Sequence, residues 1–261
     1  RPIWIERTEE SRLIGVSMTG IVAGGVEKLD LGAAARVVLE ENSRMAKLLG
    51  INEAERTTLI KPEGTSSLLL GGVPNGIHDG EESGTFIRRI TVNHNEPIYR
   101  YFRESVPGMV EKSVYNDYES YITFPMYLPE DIPVRSKTGP IGLLERIKKF
   151  HKEWVVPGHR KGENTNNVSC TVYVGDKEWD EVGKWMWENR ENYTAISVFP
   201  SDDSSNDVVY PQLMFEKVTK EKWDTLVELL PSIKLSEVRE EQDETTLRET
   251  AACAGGACGL E

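Results

Sequence analysis

Two short stretches of this sequence hold residues whose types and spacing suit chemistry. The first is Lys61-Pro62-Glu63-Gly64-Thr65-Ser66-Ser67. A strand candidate over residues 57–60 runs into it. A helix candidate starting at Thr65 continues through Leu68-Leu69-Leu70 and is closed by Gly71-Gly72. Where a strand turns tightly into a helix, the first backbone N–H groups lack intrahelical acceptors and stand at the positive end of the dipole. Such a turn suits an anion. Gly64 allows the backbone to approach an oxygen closely, and the three hydroxyls that follow add donors. The plain alternative is an ordinary helix cap, because Ser and Thr favour that position without any ligand. The spacing is not that of a Walker loop, which needs G-x-x-x-x-G-K-S/T.

The second stretch is Cys253-Ala254-Gly255-Gly256-Ala257-Cys258. Two glycines between the cysteines let the sulfurs meet in a small disulfide loop. The segment before it, with Glu237, Glu240, Glu241, Asp243, Glu244 and Glu249, reads as a solvated tether that lets the pair visit two places. Thiol–disulfide exchange requires that access. A zinc pair would need a second cysteine pair or a close histidine, and the sequence offers neither. A chance pair of exposed cysteines is the other alternative, although exposed thiols are reactive enough that a pair at a terminus suggests use.

The rest of the composition narrows the possibilities. The chain has 261 residues, 38% of them hydrophobic, enough for one large or two modest domains. Its net charge of -12 opposes binding to nucleic acid polymers and acidic lipid, so a small anionic ligand needs a local positive site. No apolar run approaches the length needed to cross a bilayer, and no signal-peptide pattern opens the chain. With three cysteines, this fits a reducing, cytoplasmic setting. The chain opens on Arg1, and the polar stretch Arg1–Arg12 reads as a lead-in from something upstream. His78, His94, His151 and His159 show no metal-pair spacing and read as structural or surface residues.

The elements that must position these groups alternate between strand and helix. Helical spacing covers residues 31–49 with Gly50 as cap, 95–106, 139–156 with Pro140 in the first turn, and 219–230. Asp176 is the expected cap of a helix carrying Trp179, Val182, Trp185 and Met186, with Trp187 read as packing too. Strand signals cover 86–92, 121–124, 167–174 and 196–199. Residues 13–21 suit either a buried strand or a helix start. Cys170, in an apolar alternating stretch, is an expected core residue. Asn164, Asn166 and Asn167 precede that strand and read as a loop, with a polar site at the strand end as the other option. The class is α/β.

Several segments together resemble the adenosylcobalamin-dependent (class II) ribonucleoside-triphosphate reductases in their carboxy-terminal part. They are Pro62-Glu63-Gly64-Thr65-Ser66-Ser67, Leu68-Leu69-Leu70-Gly71-Gly72, Asn75-Gly76-Ile77-His78, Phe86-Ile87-Arg88-Arg89-Ile90, Asn167-Val168-Ser169-Cys170-Thr171-Val172 and the terminal CAGGAC. The resemblance runs over nearly the whole chain and is vaguest in Arg1–Arg12. It implies a ten-stranded α/β barrel of two five-stranded halves. Residues 1–236 would form the carboxy-terminal portion, and 237–261 a flexible acidic linker and redox-dithiol tail. It implies that Pro62, Glu63, Gly64, Thr65, Ser66 and Ser67 bind substrate phosphates. Cys253 and Cys258 would be the dithiol that re-reduces the active site, restored by a thioredoxin-like reductant. The implied reaction reduces ribonucleoside triphosphates at the 2′ carbon, feeding deoxyribonucleotides to DNA replication. Its implied cofactor is adenosylcobalamin, whose contacts the sequence does not locate.

The sequence departs from the family in one respect. The family starts its reaction from a thiyl radical on a cysteine inside the barrel and reduces the substrate with a further cysteine pair. Here no cysteine precedes Cys170. The expectation is that an amino-terminal partner fragment carries the radical cysteine and that the isolated chain is inactive. A non-catalytic nucleotide-binding subunit and a thiol–disulfide carrier are the alternatives.

Overall fold

Leu31–Leu49 forms a helix because its apolar residues recur at helical spacing and both ends are capped. The Asp30 carboxylate accepts from the Ala33 amide at 2.8 Å, and Gly50 closes the helix with φ 66°. The computed structural model describes residues 1–81, 83–201 and 211–239. In chain order these comprise helix α1 (Pro2–Ser11), α2 (Leu31–Leu49), α3 (Gly64–Leu69), strand β1 (Gly84–Asn93), α4 (Pro97–Ser105), β2 (Val110–Lys112) and β3 (Glu119–Leu128). There follow α5 (Arg135–Phe150), β4 (Thr171–Val174), α6 (Trp179–Glu188), β5 (Ser197–Pro200), β6 (Phe215–Lys217) and α7 (Lys220–Leu229). The fold is mixed α/β. Cys253 and Cys258 lie outside the described residues.

The chain divides into two compact units. The first joins Arg1–Gly80 to Ile132–Asp207. It is built on parallel pairing: Val16 with Thr58, Ile60 with Val168, and β4 with β5 from Thr171–Ser197 to Val174–Pro200. Parallel neighbours need long crossovers, which α2 and α6 supply. Residues 13–21 are therefore extended at Val16 and then turn, which resolves the two options left by the sequence. Ile21, Leu31, Ile60, Leu144, Ile147 and Phe150 form the centre of the core. The α5 region is interrupted at Gly139 (φ 66°, ψ 173°), so the regular helix begins at Pro140 as the sequence suggests, and a wide turn over His151–Val155 ends it.

The second unit joins Glu81–Asp131 to Val208–Glu261. Its sheet has the order β2-β3-β1-β6, and β1 pairs antiparallel with β3 from Gly84–Leu128 to Asn93–Glu119. Tyr99 and Phe102 of α4 and Leu226 of α7 pack with Ile87 and Ile122 of the sheet. Arg89 is buried, yet its charge is met by Glu111 at 2.7 Å, Glu216 at 2.6 Å and the Leu213 carbonyl at 2.7 Å.

Three local expectations need correction. Asp176 does not cap α6. The helix starts after Glu178, whose carboxylate is drawn back to the Gly175 amide at 2.8 Å. Trp187 does not pack into a core. It is 71% exposed beside Arg190, because its position on α6 faces away from the buried Val182 and Trp185. Residues 2–11, read only as a polar lead-in, are helical, with Pro2 in the favoured first position.

Leu144→Ala is expected to destabilise the first unit by about 3 kcal/mol, and Trp187→Ala by no more than about 0.5 kcal/mol. Urea unfolding followed by circular dichroism checks the contrast. Equal losses would contradict the assigned core.

Candidate functional site

Three segments of the first unit meet at the carboxy-terminal ends of its first two extended segments. Open α/β sheets carry their ligand sites at such ends. Residues 57–60 lead into Lys61, whose amide donates to Ser17 Oγ at 2.9 Å. Thr19 Oγ1 accepts from the Gly76 amide at 2.9 Å, and the Gly20 amide donates to the Pro74 carbonyl at 3.1 Å. Gly76 has φ 50°, and a Cβ there would fall 2.4 Å from the Lys61 carbonyl oxygen. Only glycine allows that approach. Asn75-Gly76-Ile77-His78 is thereby laid against the Lys61–Ser67 turn.

Within the turn, Glu63 adopts φ 58°, a left-handed conformation that costs a non-glycine residue about 1 kcal/mol. It swings the chain from the strand into α3. Thr65 is exposed, Ser66 half-buried, and Ser67 fully buried. The Ser67 hydroxyl is used internally, with Gly64 carbonyl oxygen at 3.0 Å and Asn75 Oδ1 at 2.5 Å. So Thr65 is exposed and Ser66 partly so, while the Ser67 hydroxyl fastens the turn to Asn75. The helical pattern gives the Thr65 and Ser66 amides no acceptor within α3. Pro62 and Lys61 are exposed at the mouth, and the Lys61 ammonium is the nearest cation in sequence to the turn.

His78 closes the arrangement from behind. Its Nε2 accepts from the Thr171 amide at 3.0 Å, so Nδ1 carries the hydrogen and donates to the Asn75 carbonyl at 3.0 Å. Burial holds its pKa below the ordinary value. The Asn75 carbonyl and Asp79 oppose that shift, and Arg146 adds to it. Protonated Nε2 would also face a backbone donor. Arg146 ties this region to α5 through Glu27 at 2.5 Å and both oxygens of Asp79 at 3.1 Å.

The remaining candidates are structural. His94 bonds Ser120 Oγ at 2.9 Å and stacks on Tyr99, His151 bonds Thr165 Oγ1 at 3.2 Å, and His159 bonds the Gly162 carbonyl at 2.7 Å. No group of three His, Cys, Asp or Glu suited to a metal forms among the described residues. Asn166 donates to the Thr58 carbonyl at 3.1 Å, and Asn167 accepts from Thr194 at 2.7 Å, so both tie strand starts together, not a ligand. Cys170 is buried, and its thiol is pushed up to about 12, which removes it from thiolate chemistry at neutral pH. Ser17 and Thr19 escaped the sequence reading because their partners, Lys61 and Gly76, lie 44 and 57 residues away in the chain.

A cavity of about 500 Å³ beside α1 is lined by Ile3, Trp4 and Leu13 together with Arg7, Thr8 and Ser11, and one of about 400 Å³ beside α2 is lined mainly by apolar residues. The second, with its apolar lining, does not fit a corrin, whose peripheral amides need many hydrogen-bonding partners. No helix of the described residues is long and apolar enough to cross a membrane.

Gly76→Ala is expected to cost clearly more than Gly50→Ala. Both have positive φ, and Gly50→Ala should cost about 1 kcal/mol, but Gly50 has open space where Gly76 meets backbone. Thermal unfolding of the two variants decides it. A folded ring at His78 stays neutral while the unfolded chain binds a proton below its ordinary 6.5, so stability falls as pH drops through that value. The fall in thermal midpoint between about pH 7.5 and 5.5 should be smaller in His78→Gln. An unchanged pH slope would remove His78 from that role.

No family model matches the chain. The adenosylcobalamin-dependent ribonucleoside-triphosphate reductase of Lacticaseibacillus paracasei is 23% identical over 86% of this chain and 29% of its own length. That of Lactobacillus leichmannii is 23% identical over 87% of this chain and 29% of its length. The probable enzyme of Dictyostelium discoideum is 25% identical over 83% of this chain and 28% of its length. A crystal structure of a B12-dependent (class II) ribonucleotide reductase shares the fold, with TM-score 0.66 and 19% identity over 90% of this chain and 35% of that one. The chain thus spans less than a third of the curated relatives it matches. In sequence and in fold it fits a carboxy-terminal part of the adenosylcobalamin-dependent ribonucleoside-triphosphate reductases.

Proposed function

We propose that the chain works as the carboxy-terminal part of a ribonucleotide reductase that converts ribonucleoside triphosphates to 2′-deoxyribonucleotides in the cytoplasm. One observation carries the reading. The Pro62–Ser67 turn stands at the carboxy-terminal end of a parallel segment, with Thr65 exposed, Ser66 half-buried and Ser67 fastened to Asn75. Hydroxyls, first-turn amides and the nearby Lys61 ammonium suit a phosphate group in a chain whose overall charge of -12 repels one. Pro62, Glu63 and Gly64 shape the turn, Thr65 and Ser66 contact phosphate oxygens, and Ser67 holds the turn in place.

In this reading residues 1–236 form part of the ten-stranded barrel, and 237–261 form the linker and tail. Reduction at the 2′ carbon removes the hydroxyl as water and oxidises a cysteine pair in the barrel to a disulfide. Cys253 and Cys258 then exchange with that disulfide, becoming oxidised themselves, and a thioredoxin-like dithiol restores them. The radical cysteine and the barrel pair belong to an amino-terminal part of the enzyme, since this chain has no cysteine before Cys170 and buries that one. Adenosylcobalamin, which the relatives' names carry, would supply the radical when bound.

Thr65→Ala combined with Ser66→Ala is expected to weaken binding of a fluorescent ribonucleoside triphosphate by about tenfold or more, as two phosphate hydrogen bonds are lost. Unchanged affinity would sink the phosphate site. The purified chain with adenosylcobalamin and dithiothreitol should produce no deoxyribonucleotide. Turnover under those conditions would contradict the division of labour.

A further inference from the structure

The proposed chemistry uses the Pro62–Ser67 turn but gives no task to the histidine behind it. His78 joins two segments far apart in the chain. Its Nδ1 donates to the Asn75 carbonyl at 3.0 Å, and its Nε2 accepts from the Thr171 amide, the first of β4, at 3.0 Å. Asn75 carries the connection forward. Its Oδ1 lies 2.5 Å from Ser67 Oγ, and Ser67 is fully buried inside the turn. One line of hydrogen bonds thus runs from β4 through the ring and Asn75 to Ser67.

This line admits one form of the ring. A backbone amide only donates and a carbonyl only accepts, so Nε2 must be bare and Nδ1 must carry the hydrogen. A second proton, on Nε2, would set N–H against N–H at Thr171. The ring would have to turn away, and the Asn75 carbonyl would lose its donor. Burial opposes that proton most strongly. Asp79, next in the chain, favours it. Arg146 of α5 opposes it and is itself paired with Asp79 and Glu27. β4, Thr-Val-Tyr-Val, brings no charge to the ring.

We propose that His78 is a positioning residue for the phosphate turn. As the neutral Nδ1–H tautomer it fixes Asn75, and through Asn75 it fixes Ser67. A second proton on the ring releases the turn and weakens binding of a ribonucleoside triphosphate. The proposal deepens the phosphate-site reading and rests on it. Ligand and proton then oppose each other reciprocally, each lowering the other's affinity by the same factor. A ring that merely stapled the loop to β4 would make the same bonds but show no such coupling.

Nitrogen-15 NMR of the ring in the full chain, with and without a saturating ribonucleoside triphosphate, tests this without any substitution. The expected spectrum is the Nδ1–H tautomer. Its protonation midpoint should fall by about one pH unit on saturation, matching an affinity about tenfold weaker for the protonated ring. In binding assays, His78→Asn, whose amide nitrogen can take the place of Nδ1 against the Asn75 carbonyl, should stay within about threefold of the native affinity. His78→Gln, whose oxygen takes the place of Nε2 and leaves that carbonyl unpaired, should lose about tenfold. His94→Gln, in the other unit, should change nothing. A midpoint that stays in place or rises, or equal losses in the two His78 variants, confines His78 to a staple and overturns the proposal while the phosphate site stands. Should either variant unfold by circular dichroism, the midpoint decides alone. Absence of nucleotide binding by the full chain, or binding that Thr65→Ala with Ser66→Ala leaves unchanged, overturns both.

Discussion

The close passage of Gly76 over the Lys61 carbonyl is the constraint on which the candidate site depends. A Cβ at that point would lie 2.4 Å from the oxygen, so the two backbones can meet only through glycine. Around that contact the hydroxyls of Ser17, Thr19 and Ser67 act as pins between loops that would otherwise diverge. His78 holds the far side by bonding one loop and the first residue of β4 with its two nitrogens. The turn is therefore held by groups that do not face its mouth, which leaves Thr65 and Ser66 available.

Charge and burial divide the chain's polar residues into distinct tasks. Arg89 and Arg146 are buried and satisfied by carboxylates, so they stabilise the two units and do not attract ligands. The Cys170 thiol, raised by burial, is part of a core. Electron transfer in the proposed function thus falls to cysteines elsewhere, and anion binding falls to backbone amides and hydroxyls. Such donors position a phosphate without requiring a large positive patch in an acidic protein.

Much of this was legible in the sequence because it is local. Capping residues and apolar spacing set α2 and α7 nearly to the residue, with Thr219 accepting from Lys222 as a cap. Pro140 marked the true start of a helix that a break at Gly139 separates from the turn before it. Alternation placed β1 and β3, although both extend further than the pattern indicated, because ladder pairing continues where side-chain alternation weakens. Asp176 misled because a nearby carboxylate, Glu178, took the loop amide and moved the helix start.

By itself, the sequence determined the turn chemistry at Pro62–Ser67, the helices and strands that flank it, and the resemblance that ties the segments together, since each is a matter of residue type and short spacing. Tertiary structure alone decided that Asn75-Gly76-Ile77-His78 lies on that turn and that Ser67 is buried while Thr65 is exposed. Those outcomes follow from strand pairing and backbone packing between residues far apart in the chain, to which no local pattern responds.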